Sequence, residues 1–163
     1  LPSINTNNEI TGNVNTQMMF WGTKFNQDIS EWDTSNVTSG FNHMFYDNGE
    51  FSQDLSSWNT SNVTKLNMMF AGGSTQAKVN FDMSNWNISN LESAGSFLRR
   101  NDTLSSANYT STLIGWAAQS HQGGIPQDIT IDFGYATYNS GGVASRNKLI
   151  NDYNWTITDG GPA

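Results

Sequence analysis

The sequence contains no cysteine, which excludes disulfide bonds, thiolate metal sites and a cysteine nucleophile. Charged residues make up only 13% of the 163 residues, about half the usual share. Only seven of them are Lys or Arg, too few for the basic stripe that displaces counterions, so nucleic acid is excluded as a partner. No apolar run approaches the ~18 residues of a membrane span, so we expect no membrane insertion.

What the chain does contain is an internal repeat. Residues 25–45 read FNQDISEWDTSNVTSGFNHMF, and residues 51–70 read FSQDLSSWNTSNVTKLNMMF. A degenerate copy occupies residues 81–97, and a truncated copy, NVNTQMMF, occupies residues 13–20. Units this short cannot close a core of their own, so we expect them to stack and share one.

The alternation within one unit predicts a short strand over residues 29–35. The side chains expected to point into the core are Ile29, Trp32 and Thr34, continued by Trp58 and Thr60 and then by Trp86 and Ile88. An asparagine follows each predicted strand, at positions 36, 62 and 90. We expect these asparagines to satisfy backbone groups of the neighbouring coil, and Val37, Met44 and Phe45 to return to the core.

The string FNQDIS-W-TSNVT-MF resembles the BspA-like repeat of bacterial surface proteins, a divergent branch of the leucine-rich-repeat family. The resemblance covers roughly residues 13–97, although the last unit lacks the QD pair and has Leu91 in place of Val. It implies an α/β repeat fold, a short leucine-rich-repeat-like solenoid of about three to four coils, and an association with bacterial surface adhesion.

The repeat pattern stops near residue 100, and a different pattern follows. Ser105 and Ser106 predict a helix start, with the helix running to about residue 119. Ile129, Ile131 and Phe133 alternate with polar residues as in a half-buried strand. A second helix is predicted over residues 143–153 and a last strand around residues 155–157. We therefore predict one folded domain with an N-terminal cap or linker at 1–12, a repeat solenoid at 13–100 and an α/β C-terminal cap at 101–163.

Residues that could carry catalysis are scarce, so we expect no enzyme. His43 and His121 lie in unrelated contexts, and no hydrolase, zinc-protease or phosphate-loop motif occurs. Asp28 and Asp54 recur in the same place, where an aspartate most simply accepts hydrogen bonds from its own turn. No motif predicts a cofactor, although calcium could bind isolated carboxylates such as Asp47 or Asp159.

The remaining candidate site is the outward face of the predicted strands, which a repeat architecture would hold at regular spacing. The residues predicted to form it are Glu31, Asp33, Ser35, Ser57, Asn59, Ser61, Asn85 and Asn87. Their short acidic, amide and hydroxyl groups suit a polar peptide or a carbohydrate. Trp21 and Tyr46 lie beside glycine or polar residues and form a possible aromatic platform.

These patterns predict a non-catalytic ligand-binding domain of a bacterial cell-surface or secreted adhesin. The expected partner is a protein or peptide on a host or neighbouring cell, with a glycan as the alternative. Two alternatives stay open: a carbohydrate-binding module that uses the exposed aromatics, and a purely structural spacer. Regular Thr and Asn rows also occur in ice-binding solenoids, but the Thr column here is predicted to face inward.

Overall fold

The computed structural model describes residues 16–120 and 123–163. Its regular elements all follow residue 105: the helices are α1 (Ser106–Ala117) and α2 (Val143–Tyr153), and the strands are β1 (Thr130–Asp132), β2 (Thr137–Tyr138), β3 (Thr156–Thr158) and β4 (Gly161–Pro162). A 3₁₀ turn, Ser140–Gly142, leads into α2. Among the described residues, no helix is long and apolar enough to cross a membrane. The predicted segment 1–12 and His121 lie outside the described residues.

Successive repeat units are joined by a ladder of parallel backbone hydrogen bonds. Alternate amides of residues 41–47 donate to carbonyls of residues 65–71, for example Phe45 N to Met69 O at 2.8 Å. The amides in between close tight turns within their own unit, as Met44 N does with Phe41 O at 3.1 Å. The backbone amides of residues 43–47 are therefore all paired without a conventional strand, as a buried backbone requires.

This ladder does not end with the repeat at residue 100. Leu98 N donates to Asp132 O at 2.7 Å, which connects the fourth unit to β1. β1 then pairs in parallel with β3, with Ile131 opposite Ile157. The C-terminal segments thus add two further layers to the same ladder, with α1 and α2 in the place of the turns.

Aromatic columns fill the core between the ladder and the turns. Trp58 and Trp86 are buried, and each indole Nε1 donates to a backbone carbonyl of the preceding unit at 3.0 Å. Phe45 and Phe51 stack with ring centroids 3.9 Å apart, within a row that includes Phe20, Phe25, Phe70 and Phe97. The inward prediction is confirmed for Trp58 and Trp86, whereas Trp32 is only partly buried.

The predicted strand over residues 29–35 is wrong. Among the described residues the first strand is β1, and residues 30–31 and 35–36 form turns instead. Each turn is closed by an aspartate that accepts the amide two residues later: Asp28 from Ser30 and Asp33 from Ser35, both at 2.9 Å. The burial of this segment does not alternate as in a strand, because its buried residues are Ile29, Thr34 and Val37, three to five positions apart.

Several local predictions are confirmed. Asn62 Nδ2 donates to Ser35 O and Asn90 Nδ2 to Ser61 O, so these asparagines do bridge neighbouring units. The buried Thr34 and Thr60 also donate to the following unit, through Oγ1. Ser105 caps α1 by accepting the amide of Asn108, and α2 has the predicted bounds.

Candidate binding surfaces

None of the eight residues of the predicted outward face lies on a strand, and five of them lie in turns: Glu31, Ser35, Ser57, Ser61 and Asn85. Asn59 and Asn87 start turns, like Asp33, and each accepts the amide two residues later, at 3.0 and 2.9 Å. Because these three side chains hold their turns, replacing them would disturb the backbone as well as the surface. The exposed members of the predicted set are Glu31, Ser57, Asn59 and Asn85, and the half-buried ones are Asp33, Ser35, Ser61 and Asn87.

A shallow groove of about 340 Å³ crosses the first two full units. Its lining consists of Asp28, Ser30, Glu31, Gln53, Asp54, Ser56 and Ser57. Three of these side chains are carboxylates and none is basic. Of the predicted face, Glu31 and Ser57 line this groove, and the other six residues do not.

Hydrogen bonds fix the groove's walls. Ser30 N donates to Asp28 Oδ1 at 2.9 Å, and Ser56 N donates to Asp54 Oδ1 at 2.8 Å. Ser57 Oγ donates across the units to Ser30 O at 2.9 Å. The backbone amide of Ser30, followed by its side chain, lowers the pKa of Asp28 below its ordinary value, so this carboxylate stays charged at neutral pH.

Sequence reasoning interpreted Asp28 and Asp54 only as turn residues, and that interpretation is confirmed. It missed that both also line a groove, together with Gln53. The signal was visible in the sequence, since the paired NQD and SQD strings put equivalent acids on adjacent units. The predicted strand, however, gave no reason to place them beside Glu31.

A second surface gathers aromatic rings on the ladder side of the core. Trp21 is 46% exposed, and its ring contacts that of Tyr46 edge-on with centroids 5.3 Å apart. His43, not included in the predicted platform, joins them at 6.1 Å from Trp21 and 5.8 Å from Tyr46. The structure therefore brings the two predicted platform residues together and adds an imidazole.

The two carboxylates considered for calcium are occupied by protein donors. Asp47 accepts hydrogen bonds from the amides of Gly73 and Thr75 and from the hydroxyls of Ser74 and Thr75. Asp159 accepts hydrogen bonds from Tyr109 Oη at 2.6 Å and pairs with Arg146, whose Nε lies 2.8 Å away. Across residues 16–120 and 123–163, no group of three or more His, Asp or Glu is arranged to hold a metal ion.

The described residues thus define a stack of short repeat units with two candidate binding surfaces, one acidic and one aromatic. The chain belongs to the family described as "Mycoplasma protein of unknown function, DUF285", whose model matches residues 5–111. No curated protein and no solved structure gave a significant match.

Proposed function

We propose that this chain is a non-catalytic ligand-binding domain of a bacterial cell-surface or secreted adhesin, and that its acidic groove binds a cationic peptide segment of a partner protein. The observation that carries the proposal is the groove built from Asp28, Glu31 and Asp54 across two adjacent units. The resemblance of the repeat to BspA-like surface proteins supports the surface role.

The proposed architecture is a short leucine-rich-repeat-like solenoid whose ladder continues through β1 and β3. Support for it comes from the parallel bonds that join each unit to the next, such as His43 N to Asn67 O and Met68 N to Gly95 O, both 2.9 Å long. An asparagine ladder runs alongside, because Asn42 Oδ1 accepts from Asn67 N at 3.0 Å and Asn67 Oδ1 accepts from Gly95 N at 2.8 Å.

The chemistry of the groove favours a basic segment over an acidic or apolar one. Its three carboxylates attract Lys or Arg side chains, and its serine hydroxyls and the Gln53 Oε1 acceptor can bond a peptide backbone. Because the turns already fix Asp28 and Asp54, little ordering entropy is lost on binding. The attraction is exposed to solvent, so we expect it to weaken as salt increases.

Fluorescence polarisation with a fluorescein-labelled peptide of alternating lysine and glycine tests this proposal. The triple variant Asp28→Asn, Glu31→Gln and Asp54→Asn removes three charges while leaving an oxygen acceptor for each turn. We expect it to weaken binding roughly tenfold, because it removes all three charged contacts of this exposed site.

A matched control separates the groove from the overall acidity of the protein. The variant Glu92→Gln, Asp102→Asn and Asp152→Asn changes the net charge by the same three units, at exposed positions that do not line the groove. It should bind the peptide like the wild type at 0.15 M salt. Equal losses in the two triple variants, or no loss in the groove variant, would show that the groove is not the binding site.

A further inference from the structure

We propose that Asn48 and Gly49 form a site of spontaneous deamidation, which the native fold suppresses and whose product the fold cannot accommodate. In the reaction the Gly49 nitrogen loses its proton and attacks Asn48 Cγ, and the side-chain nitrogen leaves as ammonia. The resulting five-membered succinimide is opened by water at either carbonyl, which gives aspartate or isoaspartate at position 48. This inference does not depend on the function proposed for the acidic groove.

The sequence makes this dipeptide labile, and packing requires it. Asn48 is the only asparagine of the chain that is followed by glycine, which has no side chain to hinder attack by its own nitrogen. A Cβ on residue 49 would lie 2.7 Å from Thr75 Cβ and 2.9 Å from Thr75 Oγ1. A larger residue at position 49 would therefore slow the reaction, but it would collide with the loop at residues 73–75.

Four hydrogen bonds hold the Asn48 side chain in the native structure. Nδ2 donates to Phe25 O at 2.9 Å and to Thr23 Oγ1 at 3.4 Å, both in the preceding unit. Oδ1 accepts from the amides of Glu50 and Phe51, each at 3.2 Å. Asn48 is only 4% exposed, so the amide group is fixed in orientation and shielded from water.

These contacts oppose the reaction in two ways. Cγ has to turn towards the Gly49 nitrogen and Nδ2 has to leave, so the bonds that hold the amide group must break first. Burial also keeps out the water that opens the succinimide and the base that removes the Gly49 proton. The rate in the native protein is therefore the rate in the open chain multiplied by the fraction of molecules in which this site is open.

Asn101, two units further along the chain, provides an internal comparison. Its Nδ2 donates to Val79 O at 3.0 Å, and its Oδ1 accepts from the amides two and three residues later, at 3.1 and 2.9 Å. The residue that follows it is Asp102. Asn101 thus has the same structural role as Asn48, without the glycine that makes Asn48 labile.

Deamidation removes the donor that connects two neighbouring units. Phe25 O would lose its 2.9 Å bond from Nδ2 and would face a carboxylate oxygen instead. Isoaspartate also lengthens the backbone by one carbon beside Gly49, where Thr75 leaves no room for an added carbon. A molecule that deamidates while it is unfolded therefore cannot rebuild the native contact between the units.

Incubation of the full chain at neutral pH, in buffer and in denaturing urea, tests the proposal. Trypsin releases residues 25–65 and 101–146, so tandem mass spectrometry follows Asn48 and Asn101 in the same sample. We expect Asn48 to deamidate at least about tenfold faster in urea than in buffer, because opening the native site costs free energy. In urea, Asn48 should also react faster than Asn101, and Gly49→Ala should remove that difference. Equal rates for Asn48 in buffer and in urea, or equal rates for Asn48 and Asn101 in urea, would overturn the proposal.

The variant Asn48→Asp reproduces the aspartate product on an unchanged backbone and tests its effect on the fold. Asn85→Asp is the matched control, because it adds the same charge at an exposed position. We expect Asn48→Asp to unfold at a lower urea concentration than Asn85→Asp, or not to fold at all. Chains deamidated in urea should likewise fail to regain the wild-type tryptophan fluorescence after dilution. Equal urea midpoints for the two variants, with full recovery of the deamidated chains, would contradict the claim that the fold cannot accommodate the product.

Discussion

One ladder of backbone hydrogen bonds runs through the repeat region, residues 16–100, and the C-terminal region, residues 101–163. The two regions differ in how the chain connects one ladder segment to the next. In the repeat region the chain leaves the ladder through turns closed by aspartate and asparagine side chains, such as Asp54 and Asn59. In the C-terminal region it leaves through α1 and α2. Either turns or a helix can therefore connect two successive segments of the ladder, as long as the second segment runs parallel to the first.

The column of buried tryptophans shows that a helix and a repeat turn place equivalent side chains in the core. Trp86 Nε1 donates to Leu55 O at 3.0 Å, and Trp116 Nε1, from α1, donates to Met83 O at 2.8 Å. Gln119, two residues after α1, also contacts this unit: its side-chain nitrogen donates to Trp86 O, and its side-chain oxygen accepts from Ile88 N. A helix thus makes the contacts that a repeat turn makes in the preceding unit.

The largest effect is expected from truncating these two tryptophans. Both are fully buried, so Trp86→Ala and Trp116→Ala should each lower the free energy of unfolding by about 3–5 kcal/mol. Because one ladder and one core connect the regions, each variant should keep a single transition in urea, followed by circular dichroism and by fluorescence.

Trp86→Phe and Trp116→Phe are the matched controls for this experiment. They keep an aromatic ring but remove the indole donor, so Leu55 O or Met83 O keeps only the hydrogen bond from the backbone amide of Trp58 or Trp86, at a cost of about 0.5–1.5 kcal/mol. Two separate transitions in Trp116→Ala, with the repeat region unfolding as in the wild type, would contradict the idea of a single cooperative unit.

A somewhat smaller effect is expected at the glycines where neighbouring layers touch. Gly40 has φ of 85°, and a Cβ there would lie 2.1 Å from Lys65 O. In the C-terminal region Gly134 has φ of 66°, and its Cβ would lie 2.6 Å from Leu98 O. Alanine at either position should cost about 2–5 kcal/mol from strain and overpacking, measured by urea denaturation.

Gly22→Ala provides the control, since Gly22 has a similar φ of 65° but no atom within 4 Å of the added Cβ. It should cost only the backbone strain, about 1–2 kcal/mol. If Gly22→Ala proved as destabilising as Gly40→Ala and Gly134→Ala, the close contact between layers would not explain why glycine is needed at these positions.

The columns of the repeat could be predicted because each depends on a side chain that recurs. Trp58 and Thr60 are buried as their spacing indicates, and Asn62 bonds the backbone of the neighbouring unit as expected. The bounds of α2 could also be predicted, from the glycine and serine loop before it and the helical spacing within it. On the candidate surfaces, only Glu31, Ser57, Trp21 and Tyr46 were placed where the structure brings residues together.

The continuation of the ladder beyond residue 100 could not be predicted, because backbone hydrogen bonds do not require particular side chains. Residues 93–98, β1 and β3 share no motif, yet Ala94 lies opposite Ile131 and Ile131 opposite Ile157. One signal was available and was missed. Trp116 follows Trp86 by an interval close to those that separate Trp32, Trp58 and Trp86.

The smallest predicted effect is on the pH dependence of stability, and it arises from the aspartate that each region uses to hold a loop or tail in place. Asp159 holds the C-terminal tail by pairing with Arg146, whereas Asp47 holds the loop at residues 73–75 through neutral donors alone. The amide of Thr75, the largest of the favourable contributions, helps to lower the pKa of Asp47 to about 2. An ordinary aspartate in the unfolded chain titrates near ~3.9.

Since the folded pKa is the lower one, the charged Asp47 stabilises the fold above about pH 4, and this contribution is lost as the pH falls towards about 2. We therefore expect Asp47→Asn to flatten the acid limb of a plot of unfolding free energy against pH between these values. Asp102→Asn, at an exposed position, should leave that limb unchanged. Because Asp47 is partly exposed, solvent screening keeps the difference small. Identical acid limbs for Asp47→Asn and the wild type would mean that the loop is held by Gly73, Ser74 and Thr75 without the charge.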